Sequence, residues 1–276
     1  MARPWLLLVA LAGAALPAVE EGWSTTGRFG LFGTSVGTRG SDTSRDPTIH
    51  GTTDSTAVQG RLESELDWRH EANSVDQHLR VVYGAIHQAE VGWAENADEI
   101  RYDGVARHML RVPQFLYLGW GLETVFNGPQ PAQRPLDPAM AHASLGYGIL
   151  LEDLLPQTDQ LELRVGLRTL RRWGDSLAAD QRHLESGPEA FARYARKVTP
   201  DLSYRMQYEG FSHFRDLGHT THLVTAGLDV ALARHLTLTV AVRGYYETHP
   251  EDDDGRPGYD ELGLRQETLL GITYHW

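Results

Sequence analysis

His142 and Ser144 are of the residue types that act as base and nucleophile in hydrolases. On an extended strand their two-residue spacing puts both side chains on one face, together with Met140 and Gly146. The opposite face carries the apolar residues of the segment, so the pair would point away from a lipid substrate. No Asp or Asn follows close by in phase to orient the imidazole. We therefore expect no catalytic residues, and a lipid hydrolase is the weakest functional interpretation.

The sequence also lacks a spacing of ligands that is typical of a metal site. The carboxylates of Glu251 to Asp254, followed by Gly255, could attract Ca²⁺ but lack the ligand spacing of a calcium loop. His219 and His222 do not have a zinc-binding spacing, and the chain contains no cysteine. The sequence predicts no metal and no cofactor.

The charged residues are more informative, because many alternate with apolar ones. In residues 58–70 one face of an extended strand would carry Val58, Leu62, Leu66 and Trp68, and the other face would be charged. A basic side chain facing lipid at the bilayer midplane costs roughly 2 to 4 kcal/mol. In a membrane protein the charged face must therefore line a polar interior.

The same alternation recurs in segments of about ten residues, the sequence signature of a membrane β-barrel. The predicted strands lie near residues 26–36, 57–71, 76–89, 98–111, 114–126, 139–150, 159–172, 189–198, 201–213, 220–232, 235–247 and 261–276. The fold class predicted is all-β, a single antiparallel up-and-down transmembrane β-barrel of about twelve strands.

Alternation also assigns a set of charged residues of both signs to the barrel lumen. The predicted lumen-lining residues are Arg61, Glu63, Glu65, Asp67, Arg69, Glu99, Arg101, Asp103, Arg107, Glu162, Arg164, Arg168, Arg205, Glu209, Asp229, Arg243, Arg265 and Glu267. Buried charges must be paired or hydrated, so one interpretation is a salt-bridge network that fills the barrel. The other is a pore, because twelve strands lie between the filled eight-stranded barrel and the open sixteen-stranded one.

A pore would have an uneven charge distribution. The second strand is acidic at Glu63, Glu65 and Asp67, and the seventh is basic at Arg164, Arg168 and Arg172. These strands would face each other across the barrel, which predicts a transverse electric field that orients zwitterionic solutes.

The connections between predicted strands alternate in length, with short turns such as 112–113 and long polar loops such as 38–56 and 127–138. Outer-membrane barrels have short periplasmic turns and longer external loops. An even number of strands then returns both termini to the periplasm.

Residues 1–18 contain one arginine, an apolar run from Trp5 to Ala12 and small residues, a pattern typical of a secretory signal peptide. We expect residues 19–276 to form the barrel after Sec-dependent export to the bacterial outer membrane. A formal charge of −12 and a low mean hydropathy of −0.38 are compatible with this, because membrane strands show only alternate residues to lipid. With one lysine, Lys197, the acidic chain is not expected to bind nucleic acid.

The last segment ends in an aromatic residue after regular alternation. Its outward residues Leu270, Ile272, Tyr274 and Trp276 resemble the C-terminal signal that the barrel-assembly machinery recognises. The expected partners are this machinery during biogenesis, outer-membrane lipid and lipopolysaccharide, and small polar solutes.

From Asp98 onward the order of features resembles the salt-induced outer-membrane protein family. The residues that carry this resemblance are 98–102, Gly146-Tyr147-Gly148, the segment from Tyr245 to Pro250, and Thr268, Leu269 and Tyr274. The resemblance implies a barrel without an assigned activity and an association with stress. Three functions stay open: a narrow passive channel for small polar or zwitterionic solutes, a non-conducting structural or envelope-stress barrel, and the lipid hydrolase.

Overall fold

The computed structural model describes residues 22–40, 55–88, 92–126, 135–152, 159–175, 177, 184–248 and 262–276. The predicted signal peptide and the acidic segment 251–254 lie outside these residues. The twelve strands are β1 (Gly22–Arg39), β2 (Ser55–His70), β3 (Asn73–Gln88), β4 (Gly92–Arg111), β5 (Gln114–Thr124), β6 (Ala139–Glu152), β7 (Asp159–Trp173), β8 (Leu184–Thr199), β9 (Leu202–Ser212), β10 (Thr220–Ala233), β11 (Leu236–Glu247) and β12 (Gly263–His275).

Each strand pairs antiparallel with its sequence neighbours, and β1 also pairs with β12, which closes the barrel. The prediction of an all-β, antiparallel, up-and-down barrel of about twelve strands is confirmed. Some boundaries differ. β8 begins at Leu184, although the prediction placed residues up to Pro188 in a loop; in the structure Pro188 lies opposite Leu167 of β7. The prediction gave too much weight to Pro188 as a residue that interrupts a strand. Pairing with the neighbouring strand β7 determines where β8 begins.

The two ends of the barrel differ in their connections. Adjacent strands at one end, called here the turn end, are joined by pairs such as Glu71–Ala72, Val112–Pro113 and Pro200–Asp201. Longer connections lie at the other end, called the loop end, including residues 40–54, 125–138 and 213–219. The predicted asymmetry is present, although only residues 89–91 separate β3 from β4.

Glycines on β6 allow aromatic side chains to lie flat on the inner wall. The fully buried ring of Phe115 occupies the space that a Cβ of Gly148 would need, and the ring of Tyr117 approaches Gly146 in the same way. A larger residue at Gly148 would displace the Phe115 ring, and one at Gly146 would also meet the backbone of Val165 and Gly166 on β7. The sequence therefore needs small residues opposite large ones where neighbouring strands share the narrow interior.

The outside of the barrel is apolar. Leu118, Val165 and Leu270 are about half exposed, and Ile272 is 68 % exposed. The residues that follow them in the sequence, Gly119, Gly166, Gly271 and Thr273, lie on the opposite face of their strands, the face that carries the polar and charged residues of the interior. No helix among the described residues is long and apolar enough to cross a membrane.

Aromatic side chains collect near the turn end. The rings of Trp23 and Trp68 lie 6.2 Å apart, and those of Tyr194 and Tyr204 lie 5.4 Å apart. Trp276 is half exposed close to the same end, where its backbone pairs with Gly27. Such rings have one apolar and one polar side, the property that suits a membrane–water interface.

Candidate functional site: the polar lumen

A cavity of about 910 Å³ occupies the barrel interior and is lined by residues from all twelve strands. Of the eighteen residues that the sequence assigned to the lumen, seventeen line this cavity. The exception, Asp229, is not among the lining residues and lies 3.6 Å from Arg28 and 3.5 Å from Arg205. The strands thus bring these charges together around one shared space.

An ion-pair network crosses the lumen. The Nη2 atom of Arg101 on β4 lies 3.3 Å from Oε1 of Glu209 on β9, a strand five positions away around the ring. Arg168 on β7 donates hydrogen bonds to Glu209 at 3.2 Å and to Glu189 at 2.6 Å. The hydroxyl of Tyr117 donates to Glu189 at 2.5 Å. This crossing network, Arg101–Glu209–Arg168–Glu189–Tyr117, narrows the interior.

A second crossing contact lies closer to the turn end. Arg107 on β4 donates to Glu162 on β7 at 3.0 Å and also to Asp76 on β3. Glu162 is only 1 % exposed and has two more guanidinium groups beside it, Arg164 at 3.4 Å and Arg193 at 3.3 Å. Three positive charges around one buried carboxylate make this a strongly held structural contact.

Arg164 is further fixed by aromatic rings. The centre of its guanidinium group lies 3.7 Å from the ring centroid of Phe191 and 5.2 Å from that of Tyr117. A guanidinium group over a ring face gains cation–π attraction. The charge is therefore held against the wall.

Several charges behind the predicted transverse field have counter-charges beside them. Arg28 on β1 donates to Glu63 at 2.7 Å, so the acidic strand β2 has a basic partner next to it. On β7, Arg168 is bound as described above and Arg172 donates to Glu185 at 2.5 Å. The prediction considered β2 and β7 alone; the neighbouring strands supply counter-charges at hydrogen-bonding distance.

Two histidines stack at the loop end. The rings of His213 and His219 are 4.0 Å apart and inclined by 8°. His219 Nε2 lies 2.7 Å from Glu247, and His213 Nδ1 lies 3.7 Å from Glu185. Burial, together with the neighbouring His219 ring, lowers the pKa of His213 below its usual value near 6.5. Sequence reasoning missed this cluster, because its members come from β8, the β9–β10 loop and β11.

The described residues contain no group of three or more His, Asp or Glu side chains arranged to hold a metal ion. The pair His142 and Ser144 faces the cavity. Within the described chain neither side chain makes a hydrogen bond to the other, so the geometry of a base activating a hydroxyl is not formed.

Several lumen charges were not predicted, namely Arg28, Asp76, Arg80, Glu189 and Arg193. The signal for them was present. Asp76 and Arg80 alternate with the outward residues Leu79 and Val81, so the strand period assigns them to the interior. Arg28 lies on β1, where small residues on both faces make the alternation weak.

Three solved structures illustrate the kind of fold to which the chain is similar. An outer membrane channel from Pseudomonas putida F1 aligns over 93 % of this chain and 97 % of its own, with 9 % identity and a TM-score of 0.47. The translocator domain of the autotransporter NalP from Neisseria meningitidis aligns over 94 % and 90 %, with 12 % identity and a TM-score of 0.40. The NanC porin aligns over 90 % and 99 %, with 10 % identity and a TM-score of 0.44.

No protein-family model and no curated protein matches this chain. Membership of the salt-induced outer-membrane protein family therefore stays a prediction.

The last strand has the orientation that the alternation predicted. Leu270 is 49 % exposed, Ile272 68 % and Tyr274 60 % on the outer surface, and Trp276 follows β12 directly. Recognition of these residues by the assembly machinery stays a prediction.

Proposed function

We propose that the protein is a narrow passive channel in the bacterial outer membrane through which small polar solutes diffuse. The observation that carries this proposal is the inverted distribution of polarity: an apolar outer wall around a charged, hollow interior. In water, each Å² of exposed apolar wall would cost about 25 cal/mol relative to burial. Hydrocarbon around the barrel removes this cost, and the closed ring leaves no strand edge unpaired.

The aromatic pairs at the turn end and the longer connections at the other end support an orientation with the turn end in the periplasm. Outer-membrane lipid and lipopolysaccharide would then contact the apolar wall. The alternation of β12 suits delivery by the barrel-assembly machinery.

A cavity that reaches towards both ends supports conduction. Its lining includes Asp67 and Arg69 near the turn end and Val36 and Pro138 near the loop end. A volume of about 910 Å³ holds many water molecules, because one water needs only about 10 to 15 Å³. The crossing network limits the passage to small solutes.

The crossing contacts also favour a second candidate, a non-conducting structural or envelope-stress barrel whose lumen is closed by ion pairs. Arg101 and Glu209 hold opposite sides of the wall together as a structural strut would. The two functions differ in one measurable property, the ionic current through a single barrel.

Single-channel recordings of the purified protein in planar bilayers test the proposal. We expect small, uniform conductance steps. Replacing the pair that spans the lumen, Arg101→Ser with Glu209→Ser, keeps the net charge and should increase the step size, because two long side chains that cross the interior are removed. The matched control is Arg172→Ser with Glu185→Ser, which removes an ion pair between neighbouring strands and should leave the step size nearly unchanged. Absence of steps in both the parent and the Arg101/Glu209 variant would favour the non-conducting barrel.

A further inference from the structure

We propose that Arg80 and Glu99 form a binding site for a small zwitterionic solute, one that carries a carboxylate and an ammonium group close together as an amino acid does. This inference rests on the proposed channel function and names the class of solute. It comes from a difference between this ion pair and the other charged pairs of the lumen.

Arg80 and Glu99 lie on the neighbouring strands β3 and β4 and both line the cavity. The Nη2 atom of Arg80 is 3.5 Å from Oε2 of Glu99, beyond good hydrogen-bonding geometry. The Arg80 side chain is 30 % exposed to the lumen and that of Glu99 is 10 % exposed. A solute in the cavity can therefore reach both charges.

Within the described chain neither side chain makes a hydrogen bond, and Nε of Arg80 is buried without a hydrogen-bond partner. Each of the other arginine–carboxylate contacts described above includes at least one member that makes a hydrogen bond. A guanidinium group has five N–H donors, and a carboxylate accepts several hydrogen bonds. Arg80 and Glu99 thus keep donors and acceptors that no hydrogen bond within the described chain uses.

The charges next to Arg80 are already engaged. In the register of the sheet Arg80 lies between Glu63 and Arg101. Glu63 accepts a hydrogen bond from Arg28 at 2.7 Å, and Arg101 donates to Asp103 at 2.6 Å. Like charges directly opposite each other destabilise an antiparallel pair, so Arg80 facing Arg101 is unfavourable. A carboxylate brought to Arg80 by a solute would relieve this repulsion.

The pairing of charges selects the class of solute. A solute with only a carboxylate would bind Arg80 and leave Glu99 without a counter-charge in a confined space, which is costly. A solute with both groups can place its carboxylate on the guanidinium fork of Arg80 and its ammonium on Glu99, so that every charge keeps a partner. Propionate and propylamine each carry one of these groups and should bind more weakly than L-alanine.

Binding to the detergent-solubilised barrel tests this inference without any current measurement. Saturation-transfer NMR with L-alanine, propionate and propylamine should show the strongest binding for L-alanine. Arg80→Gln and Glu99→Gln should each weaken alanine binding at least about tenfold, and the swapped pair Arg80→Glu with Glu99→Arg should restore much of it. Arg205→Gln is the matched control, because Arg205 also lines the cavity and also lies 3.5 Å from a carboxylate, Asp229. Its alanine affinity should be unchanged.

Equal binding of propionate and L-alanine would overturn the inference, as would unchanged alanine binding in both Gln variants or no alanine binding by the parent barrel. The gel migration of unheated samples reports whether each variant is folded. Alanine binding without conductance steps would support the binding site and reject the channel function. Conductance steps without alanine binding would support the channel function and reject the binding site.

Discussion

The crossing network and the Arg80–Glu99 pair contain the same types of side chain in the same lumen but differ in how firmly they are held. Glu209 lies between Arg101 and Arg168, both within 3.3 Å, and Arg168 is bound again by Glu189. Arg80 has one carboxylate at 3.5 Å and no hydrogen bond among the described residues. Residue type alone therefore does not separate a charge that supports the wall from one that can exchange its partner for a solute.

The largest expected difference between the two regions is in stability. Glu209→Gln removes the carboxylate that Arg101 and Arg168 share, and breaking a buried ion pair costs about 3 to 5 kcal/mol. Because Arg101 keeps Asp103 and Arg168 keeps Glu189, we expect a loss at the lower end of this range. Glu99→Gln should lower the free energy of unfolding by less than half as much, because the Arg80–Glu99 contact is 3.5 Å long and includes no hydrogen bond. Urea unfolding of the barrel in lipid vesicles, followed by tryptophan fluorescence, measures both. Equal losses for the two variants would show that the structural distinction has no energetic counterpart.

A smaller loss of unfolding free energy is expected at Tyr117, the residue at the end of the crossing network. Tyr117→Phe removes a hydrogen bond of 2.5 Å to the carboxylate of Glu189, and a hydrogen bond to a charged group contributes about 1.5 to 3 kcal/mol. The control is Tyr102→Phe, whose hydroxyl donates at 2.5 Å to the neutral Gln77, where about 0.5 to 1.5 kcal/mol is expected. The same unfolding assay compares them, and a larger loss at Tyr102 would contradict the importance of the crossing network.

The histidine stack at the loop end gives the smallest expected effect on stability and extends the comparison to a pair of titratable rings. Because the pKa of His213 is lowered in the folded barrel, the unfolded chain takes up a proton at higher pH than the folded one. The contribution of His213 to stability is therefore full above about pH 6.5, the pKa of an unperturbed histidine. It is lost as the pH falls through the lower, folded value. His219→Gln should raise the pKa of His213, since one cause of the shift is removed.

NMR titration of ¹³C-labelled histidine in micelles follows this change, with His213→Gln to assign the signal. A His213 that titrates at or above the usual value in the parent protein would contradict the stacked arrangement.

Much of the wall was predictable from the sequence because the strand period is local. Outward Leu116, Leu118 and Leu122 and inward Glu63 and Arg101 follow from alternation alone, since a strand places successive side chains on opposite faces. Twelve alternating segments with an even count also predict an antiparallel barrel. The histidine stack and the missed Arg28 show where this reasoning weakens, at loops and at strands made of small residues.

The partner of each inward charge was decided by the tertiary structure. Glu209 and Arg101 are 108 residues apart in the chain, and they meet only because closure brings β4 opposite β9. The alternation predicts that a side chain points inward. The register and curvature of the closed sheet determine which inward side chains contact each other across the interior. The sequence by itself determined the two faces of the wall; closure of the ring decided which charges became struts and left Arg80 and Glu99 loosely paired beside the cavity.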